Sequence, residues 1–545
     1  MEVLSRLLER RAKEGFDRTF IQIEEFVEET YGQCYERSLA LANGLQQKLS
    51  LKKGEHVIIM SPTSIDFIHT WFAINMVGAV EVPINPAYKG DKLEYALNNS
   101  KARIAFIDEL LIDRVGSIES QLKYLQTIIP LKNPSDQKKQ IDPLFQKINV
   151  ISFDLMKWEH PVPIQQEISI QDPATIIYTS GTTGAAKGVI MPYGQTYLLA
   201  KNAVDGLKIT EEDICYTFLP LFHMAGKFMY VYAALISGSK VVLDTSFQPE
   251  AWVSRVRKYN ATCFGAHGPF IQMIYQVPER KDDGDNPLRV VGSAPFPAKI
   301  AKDFERRFQV KGIEVWGMTE INCPCYHPYD EPLRLGSCGK VLEDSYELKI
   351  VDPDTGEELP AGKAGEILIR PKQPDTVSLG YFKMPEKTAE AWKDGWFHSG
   401  DIAYQDQDGY VYFVDRIKER IRRKAENISS YDIEVAVLIH PLVKECAAVG
   451  VPSDFDYDDE IKIYVVTKDG EVLAPEELIQ YLVEKLPHYM VPRYIQFVKA
   501  LPRTPTNKVQ KAELLKQDHM GVDTWDRKAA GISVREISET LKKGH

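Results

Sequence analysis

Two short apolar runs separated by a loop of glycine and hydroxyl residues constrain the fold of this chain more than any other feature. Residues 174–178 read Ala-Thr-Ile-Ile-Tyr and residues 189–191 read Val-Ile-Met. Both have the β-branched, apolar composition of buried strands. Between them, residues 178–188 read Tyr-Thr-Ser-Gly-Thr-Thr-Gly-Ala-Ala-Lys-Gly, so the segment is a hairpin-like connection off a sheet. Gly181, Gly184 and Gly188 let the backbone take positive φ and approach a ligand closely, while Ser180, Thr182 and Thr183 offer hydroxyls and Lys187 one positive charge. That combination suits a polyphosphate, and it equally suits a solvated turn. A Walker A loop needs Gly before its lysine and Ser or Thr after it. Lys187 instead stands between Ala186 and Gly188, with no helical pattern directly following, which excludes a P-loop ATPase or small GTPase.

Length and charge narrow the class of partner. At 545 residues the chain exceeds a single core and by length alone divides into about three or four domain-sized units. Its 66 basic and 77 acidic residues leave a net charge of −11, which argues against nucleic acid or an anionic membrane surface and favours small molecules. The cysteines (Cys34, Cys215, Cys263, Cys323, Cys325, Cys338, Cys446) are odd in number and scattered, as in a reduced cytosolic protein. Cys323, Cys325 and His327 are metal-ligating types, but no second ligand pair stands nearby in sequence, so buried thiols are the expectation. Residues 1–11 read as an amphipathic helix rather than a signal peptide, and no apolar run reaches about 18 residues. The expectation is a cytoplasmic protein without a membrane span.

From residue 1 to about 170, helical periodicity (residues 64–76) alternates with short apolar runs (residues 57–60 and 102–107), the pattern of an α/β unit with parallel strands. Residues 131–147 turn to Lys, Asp, Gln and Pro and read as an exposed loop. Asp406 and Asp408-Gly409 read as a hairpin turn ahead of a strand at residues 411–414. Several features have plain alternatives: Gly292-Ser293-Ala294-Pro295 as a tight turn, Thr319-Glu320 as a helix start, His223 as a satisfied core histidine, and the run Arg420, Arg422, Arg423, Lys424 as a solvated face.

The glycine-rich loop resembles the signature of the adenylate-forming superfamily (acyl-CoA synthetases, peptide-synthetase adenylation domains, luciferases), with Ala186 where proline is usual. Further motifs of that superfamily follow in its order across nearly the whole chain. They are Trp316-Gly317-Met318-Thr319-Glu320, Gly395-Trp396-Phe397-His398-Ser399-Gly400-Asp401, Asp415-Arg416-Ile417-Lys418 and Pro502-Arg503-Thr504-Pro505-Thr506-Asn507-Lys508. Residues 487–492 and Asn507 resemble the carnitine and crotonobetaine CoA ligase branch. The resemblance implies a large N-terminal α/β domain of parallel and mixed sheets layered with helices over residues 1–415, and a small mobile α+β lid domain over residues 416–545.

The same resemblance implies the roles. Thr179, Ser180, Gly181, Thr182, Thr183, Gly184 and Lys187 would hold the ATP phosphates. Ser293, Ala294 and Pro295 would flank the adenine, with Trp316 stacking from the other side beside Gly317 and Met318. Thr319 would hold an α-phosphate oxygen, Glu320 a Mg²⁺ ion, and Asp401 and Arg416 the ribose. Lys508 would act in adenylation and Lys418 in thioester formation, with Lys424, Ala425 and Glu426 lining the tunnel for coenzyme A. Ala425 and Asn507 replace customary glycines. His223, Lys227 and His267 would border the acid; the last two hint at a polar or charged substrate, with an outward-pointing Lys227 the alternative.

The implied activity is an ATP-dependent acid–CoA ligase acting on a small carboxylic acid, with a homodimer the family-based expectation. No carrier-protein segment or serine attachment motif follows the small domain, which favours CoA over the second reading, a free-standing enzyme loading a carrier protein. A non-catalytic nucleotide-binding protein is the third, and the intact Thr319, Glu320, Asp401, Arg416 and Lys508 argue against it. Lys508→Ala is expected to slow adenylation by about two to four orders of magnitude, the scale for one preorganised charge. Thioester formation from supplied acyl-adenylate should largely survive; equal loss of both half-reactions, measured separately, contradicts the assignment.

Overall fold

The computed structural model describes residues 1–131, 145–179, 186–416, 421–423, 426–428, 430–453, 459–503, 509–516, 521 and 523–537. Most of the expected exposed loop after Leu131 lies outside them. The N-terminal helix forms over Leu4–Glu14 and buries the stripe Leu4, Leu7, Leu8 and Ala12, as its periodicity requires. The next helix, Tyr31–Leu49, starts in a capping box. The Gln33 N–H donates to the Thr30 hydroxyl at 3.1 Å and the Thr30 N–H donates to the Gln33 side chain at 3.0 Å. The helix Ile65–Val77 is mostly apolar, is buried from Phe67 to its end, and stops at Gly78 with φ +74°.

Two large sheets carry the N-terminal part. Among the described residues one has seven strands and is parallel through its centre, where His56–Met60 lies between Val80–Pro83 and Ile104–Asp108. The strand Pro173–Thr179 joins it beside Val80–Pro83, and Lys187–Pro192 closes the edge antiparallel. The parallel α/β reading of the first 170 residues therefore holds for most of them. The exceptions are Thr19–Ile23 and Val27–Thr30, which lie in the other sheet, antiparallel to each other, the first of them parallel to Lys240–Leu243.

That other sheet counts fourteen strands among the described residues. Its centre is parallel, through Ile214–Thr217, Cys263–His267, Val290–Ala294 and Lys311–Met318. From Asn322–Tyr326 onward it is antiparallel, and its hairpin Trp396–Gln405 to Tyr410–Arg416 turns where Asp406 and Gly409 predicted. Tyr410–Arg416 runs through the expected domain boundary at residue 415. Beyond it a small α+β unit has its own core, with a four-stranded sheet in which Thr524–Asp526, uninterpreted in the sequence, pairs antiparallel with Tyr494–Phe497. Among the described residues no helix is long and apolar enough to cross a membrane.

A buried ion pair ties the two large sheets together. Lys227 sits in a π-helical stretch, Ala225–Tyr232, that leans on the larger sheet. Its ammonium pairs with the carboxylate of Glu81 from Val80–Pro83 in the smaller one, and both side chains are fully buried. The rings of Trp71, Phe67 and Phe228 surround Lys227 Nζ at 4.4, 5.5 and 5.6 Å. Burial pushes the Lys227 ammonium down to about 8 and the Glu81 carboxyl up, while their attraction opposes both shifts. Lys227 is thus not outward-pointing. Its charge is met inside the protein, so the hint of a charged acid drawn from it is withdrawn.

All seven cysteines are free and buried. The His327 ring accepts the Arg334 N–H at Nε2 (3.1 Å), and its Nδ1 lies 3.0 Å from the Pro328 carbonyl. Among the described residues Glu29, Cys34 and His69 alone form a group with metal-ligand spacing. Glu29, however, already takes Arg37 on one oxygen and His69 Nε2 at 2.7 Å on the other.

Lys227→Met should lower the unfolding free energy by about 3 kcal/mol by leaving Glu81 buried without its counter-charge. The double variant with Glu81→Leu should recover most of that loss. Urea denaturation checks both values, and a single variant as stable as wild type contradicts the pairing.

Candidate active site

The phosphate hairpin folds as its sequence demands. Pro173–Thr179 and Lys187–Pro192 run antiparallel with Thr179 opposite Lys187 and Tyr178 opposite Gly188. Gly188 is required by packing, since a Cβ there would lie 2.8 Å from Ile176 Cγ2. The helix Gly90–Ser100 braces the mouth of the hairpin from one side. Tyr178 donates its hydroxyl proton to Asn99 Oδ1 at 2.7 Å, and Tyr95 donates to the Ala186 carbonyl at 3.3 Å. The loop tip, with Ser180, Gly181, Thr182, Thr183 and Gly184, lies outside the described residues, as do Lys418, Lys424, Ala425 and Lys508.

Lys187 points at the Thr319-Glu320 motif through an aromatic intermediary. Its Nζ stands 4.4 Å from the centre of the Tyr381 ring, and the Tyr381 hydroxyl donates to Glu320 Oε1 at 2.8 Å. Burial, and then the neighbouring Glu320 charge, pushes the Tyr381 phenol up, so it stays protonated and a donor. The backbone of the motif is pinned as well. Gln195, buried in the helix Tyr193–Gly206, donates Nε2 to the Thr319 carbonyl at 2.9 Å and to the Glu320 carbonyl at 3.4 Å. The Ser378 N–H donates to the Glu320 carbonyl at 2.9 Å. Neither Gln195 nor Tyr381 lies in a motif that sequence could flag.

The nucleoside side of the motif is equally built. Lys311–Met318 carries Trp316, whose indole N–H donates to Asp401 Oδ2 at 3.1 Å. Both side chains are buried, in contact across the motifs from which they were predicted. Asp401 stands opposite Arg416 in the hairpin register, so the two predicted ribose residues share one rung. Gly317 has no room for a side chain, because a Cβ would lie 2.1 Å from the Asn322 carbonyl oxygen. Ser293, opposite Glu314 in register, donates its hydroxyl to the Pro295 carbonyl at 2.6 Å. Met318 ends the strand as a half-buried side chain.

The predicted acid pocket comes together at two of its three residues. His267 ends the strand Cys263–His267, and its ring meets that of His223 edge-on at 5.8 Å. His223 Nδ1 accepts the Ala225 N–H at 3.2 Å, so a neutral His223 carries its proton on Nε2. Lys227, one helical turn further, is committed to Glu81 instead.

Comparison with known proteins gives the family. The AMP-binding enzyme family matches residues 8–382, and the AMP-binding enzyme C-terminal domain matches residues 432–508. The chain is 30% identical over 499 residues to 4-coumarate–CoA ligase-like 9 of Arabidopsis thaliana, covering 89% of this chain and 84% of that protein. It is also 30% identical over 476 residues to crotonobetaine/carnitine–CoA ligase of Escherichia coli, covering 86% and 89%. Its fold superposes with a TM-score of 0.81, at 25% identity, on an anthranilate CoA ligase in complex with anthranoyl-AMP, covering 94% and 96%.

Glu314 gives this site a pH signature that no motif announced. It is buried between Ser293 and Trp316, and desolvation pushes its carboxyl from 4.5 up to about 8, against a smaller pull from the Phe296 N–H. The folded protein therefore holds a proton that the unfolded chain loses above 4.5. The contribution of Glu314 to stability falls as pH rises from about 4.5 to about 8 and then levels off. Relative to wild type, Glu314→Gln should gain about 3–5 kcal/mol between pH 4.5 and pH 8.5. Urea unfolding across that range checks it, and parallel pH profiles contradict it.

Proposed function

This chain belongs to the AMP-binding enzyme family and is an ATP-dependent acid–CoA ligase working through an acyl-AMP; we propose that Lys187, Thr319, Glu320, Trp316 and Asp401 carry its adenylation step. The observation that supports this most is the Tyr381 ring, which collects the lysine of the phosphate hairpin on its face and the Glu320 carboxylate on its hydroxyl.

The reaction joins two anions, a carboxylate and the α-phosphate, and expels pyrophosphate. Its cost is the entropy of alignment and the repulsion of like charges, and positioned cations and donors lower both. In our reading Lys187, with Thr182 and Thr183, holds the departing β- and γ-phosphates. The Thr319 hydroxyl holds an α-phosphate oxygen on a backbone that Gln195 fixes from below. The donors here are oxygens, as Mg²⁺ prefers, and Glu320 is the carboxylate that would hold it. Bound there, Mg²⁺ would neutralise phosphate charge. The Trp316 indole orients the Asp401 carboxylate toward the ribose hydroxyls. Lys508 then bridges the acid and the α-phosphate. Rotation about a hinge at residues 415–418 exchanges it for a thiol tunnel lined by Lys424, Ala425 and Glu426, with Lys418 serving the second step. His223 presents its Nε2 proton at the acid pocket beside His267. A homodimer and a cytoplasmic setting remain part of the proposal.

The two curated relatives carry the names of different acids, so neither name is transferred. Pyrophosphate release from ATP and Mg²⁺ across a panel of carboxylic acids, each with and without CoA, tests the reading. Sustained turnover that requires CoA and yields the thioester is expected. Adenylate formation without CoA dependence would favour a carrier protein as acceptor, and failure of every acid that binds to release pyrophosphate contradicts the ligase.

A further inference from the structure

The acid pocket has a floor that the motifs do not reveal. His267 and Gly265 alternate along one strand, so both face the same side of the sheet, as do Ala294 and Gly292 on the neighbouring strand. In register His267 lies beside Ala294, and one step deeper Gly265 lies beside Gly292. Two adjacent glycines on one face leave a slot just below the His223–His267 pair, and Tyr230 fills it. A Cβ on Gly265 would fall 1.2 Å from the Tyr230 hydroxyl oxygen, and one on Gly292 would lie 3.5 Å from it and 3.2 Å from Leu207 Cδ2, which shares the slot. The fully buried Tyr230 ring therefore rests directly on the glycine backbone. Met229 extends the same barrier across the sheet, its sulfur 3.9 Å from Cys323 Sγ on Asn322–Tyr326.

We propose that Met229 and Tyr230 close the acyl pocket immediately beneath the histidine pair and restrict this ligase to short acids. The proposal rests on the reading that His223 and His267 border the acid. Two residues along a strand span about 7 Å, which bounds the acyl chain above this floor at about four to six carbons beyond the carboxyl group. Side chains at the glycines would fill the slot directly. Glycines opposite a tyrosine fill it with a group on the helix that a smaller residue can remove. Lys227, three residues earlier, is paired with Glu81 and takes no part.

The test uses a ladder of non-hydrolysable acyl-adenylate mimics, the acetyl, butyryl, hexanoyl and decanoyl sulfamoyl-adenosines, titrated calorimetrically into the full-length protein. Wild type should bind the butyryl compound at least tenfold more tightly than the decanoyl one. Tyr230→Ala should reduce that ratio at least fivefold by gaining decanoyl affinity, with acetyl affinity unchanged. Met229→Ala removes less buried volume and gives the same readout should Tyr230→Ala not fold. A ladder that is flat in wild type, or a ratio unmoved in a folded variant, overturns the pocket floor. Separately, a steep ladder without CoA-dependent turnover of the matching acid overturns the ligase reading and leaves the floor intact.

Discussion

The site depends on one short run of backbone, residues 378–382, which fixes the edge of the smaller sheet against the Thr319-Glu320 motif of the larger. The Leu379 N–H donates to the Ile190 carbonyl and the Ile190 N–H to the Gly380 carbonyl, at 2.9 and 3.0 Å, and the Phe382 N–H donates to Gly188 at 2.7 Å. The run thereby lies along the phosphate hairpin as a further strand, with Tyr381 bridged to Val189. At its start the Ser378 N–H holds the Glu320 carbonyl, and at its centre the Tyr381 hydroxyl holds the Glu320 carboxylate. Hairpin and carboxylate are therefore registered against the same few atoms. Aligning an anionic acid with a polyphosphate requires that kind of fixed geometry, because donors that must reorganise during the reaction stabilise developing charge less.

Buried charge is handled differently on the two sides of that junction. Lys227 and Glu81 pair in a fully buried setting, where their attraction opposes the effect of burial, and link the sheets deep in the core. Glu314, nearer the nucleoside residues, has no cationic partner among its influences and answers burial by holding its proton. Holding its proton spares the interior an uncompensated charge. The same economy of space explains the glycines: Gly317 makes way for the Asn322 carbonyl and Gly265 for the Tyr230 phenol.

Much of this was legible before any coordinates. The hairpin, the helical periodicity of residues 1–11 and 64–76, the Asp406–Gly409 turn and the α/β class follow from periodicity and turn chemistry, which are local. The meeting of Trp316 with Asp401 and of His223 with His267 joins residues singled out from separate motifs. What sequence could not show is long-range. Nothing in residues 19–23 says that they pair with residues 241–243, and nothing in Tyr381 or Gln195 says that they hold residues 319 and 320. Lys227 shows the limit most plainly. It lies four residues after His223, but a π-helical turn carries it toward Glu81 in the other sheet, while Tyr230, an unremarkable aromatic in an apolar run, meets the sheet face that His267 shares.

The central claim is that activation proceeds through an acyl-adenylate made at this junction, before any thiol takes part. Exchange of labelled pyrophosphate into ATP, measured without CoA, tests that step alone. Exchange should appear only when Mg²⁺ and an acceptable acid are both present, and it should disappear in Glu320→Gln. An acid that is converted to its thioester when CoA is supplied, yet supports no exchange in its absence, would contradict the account.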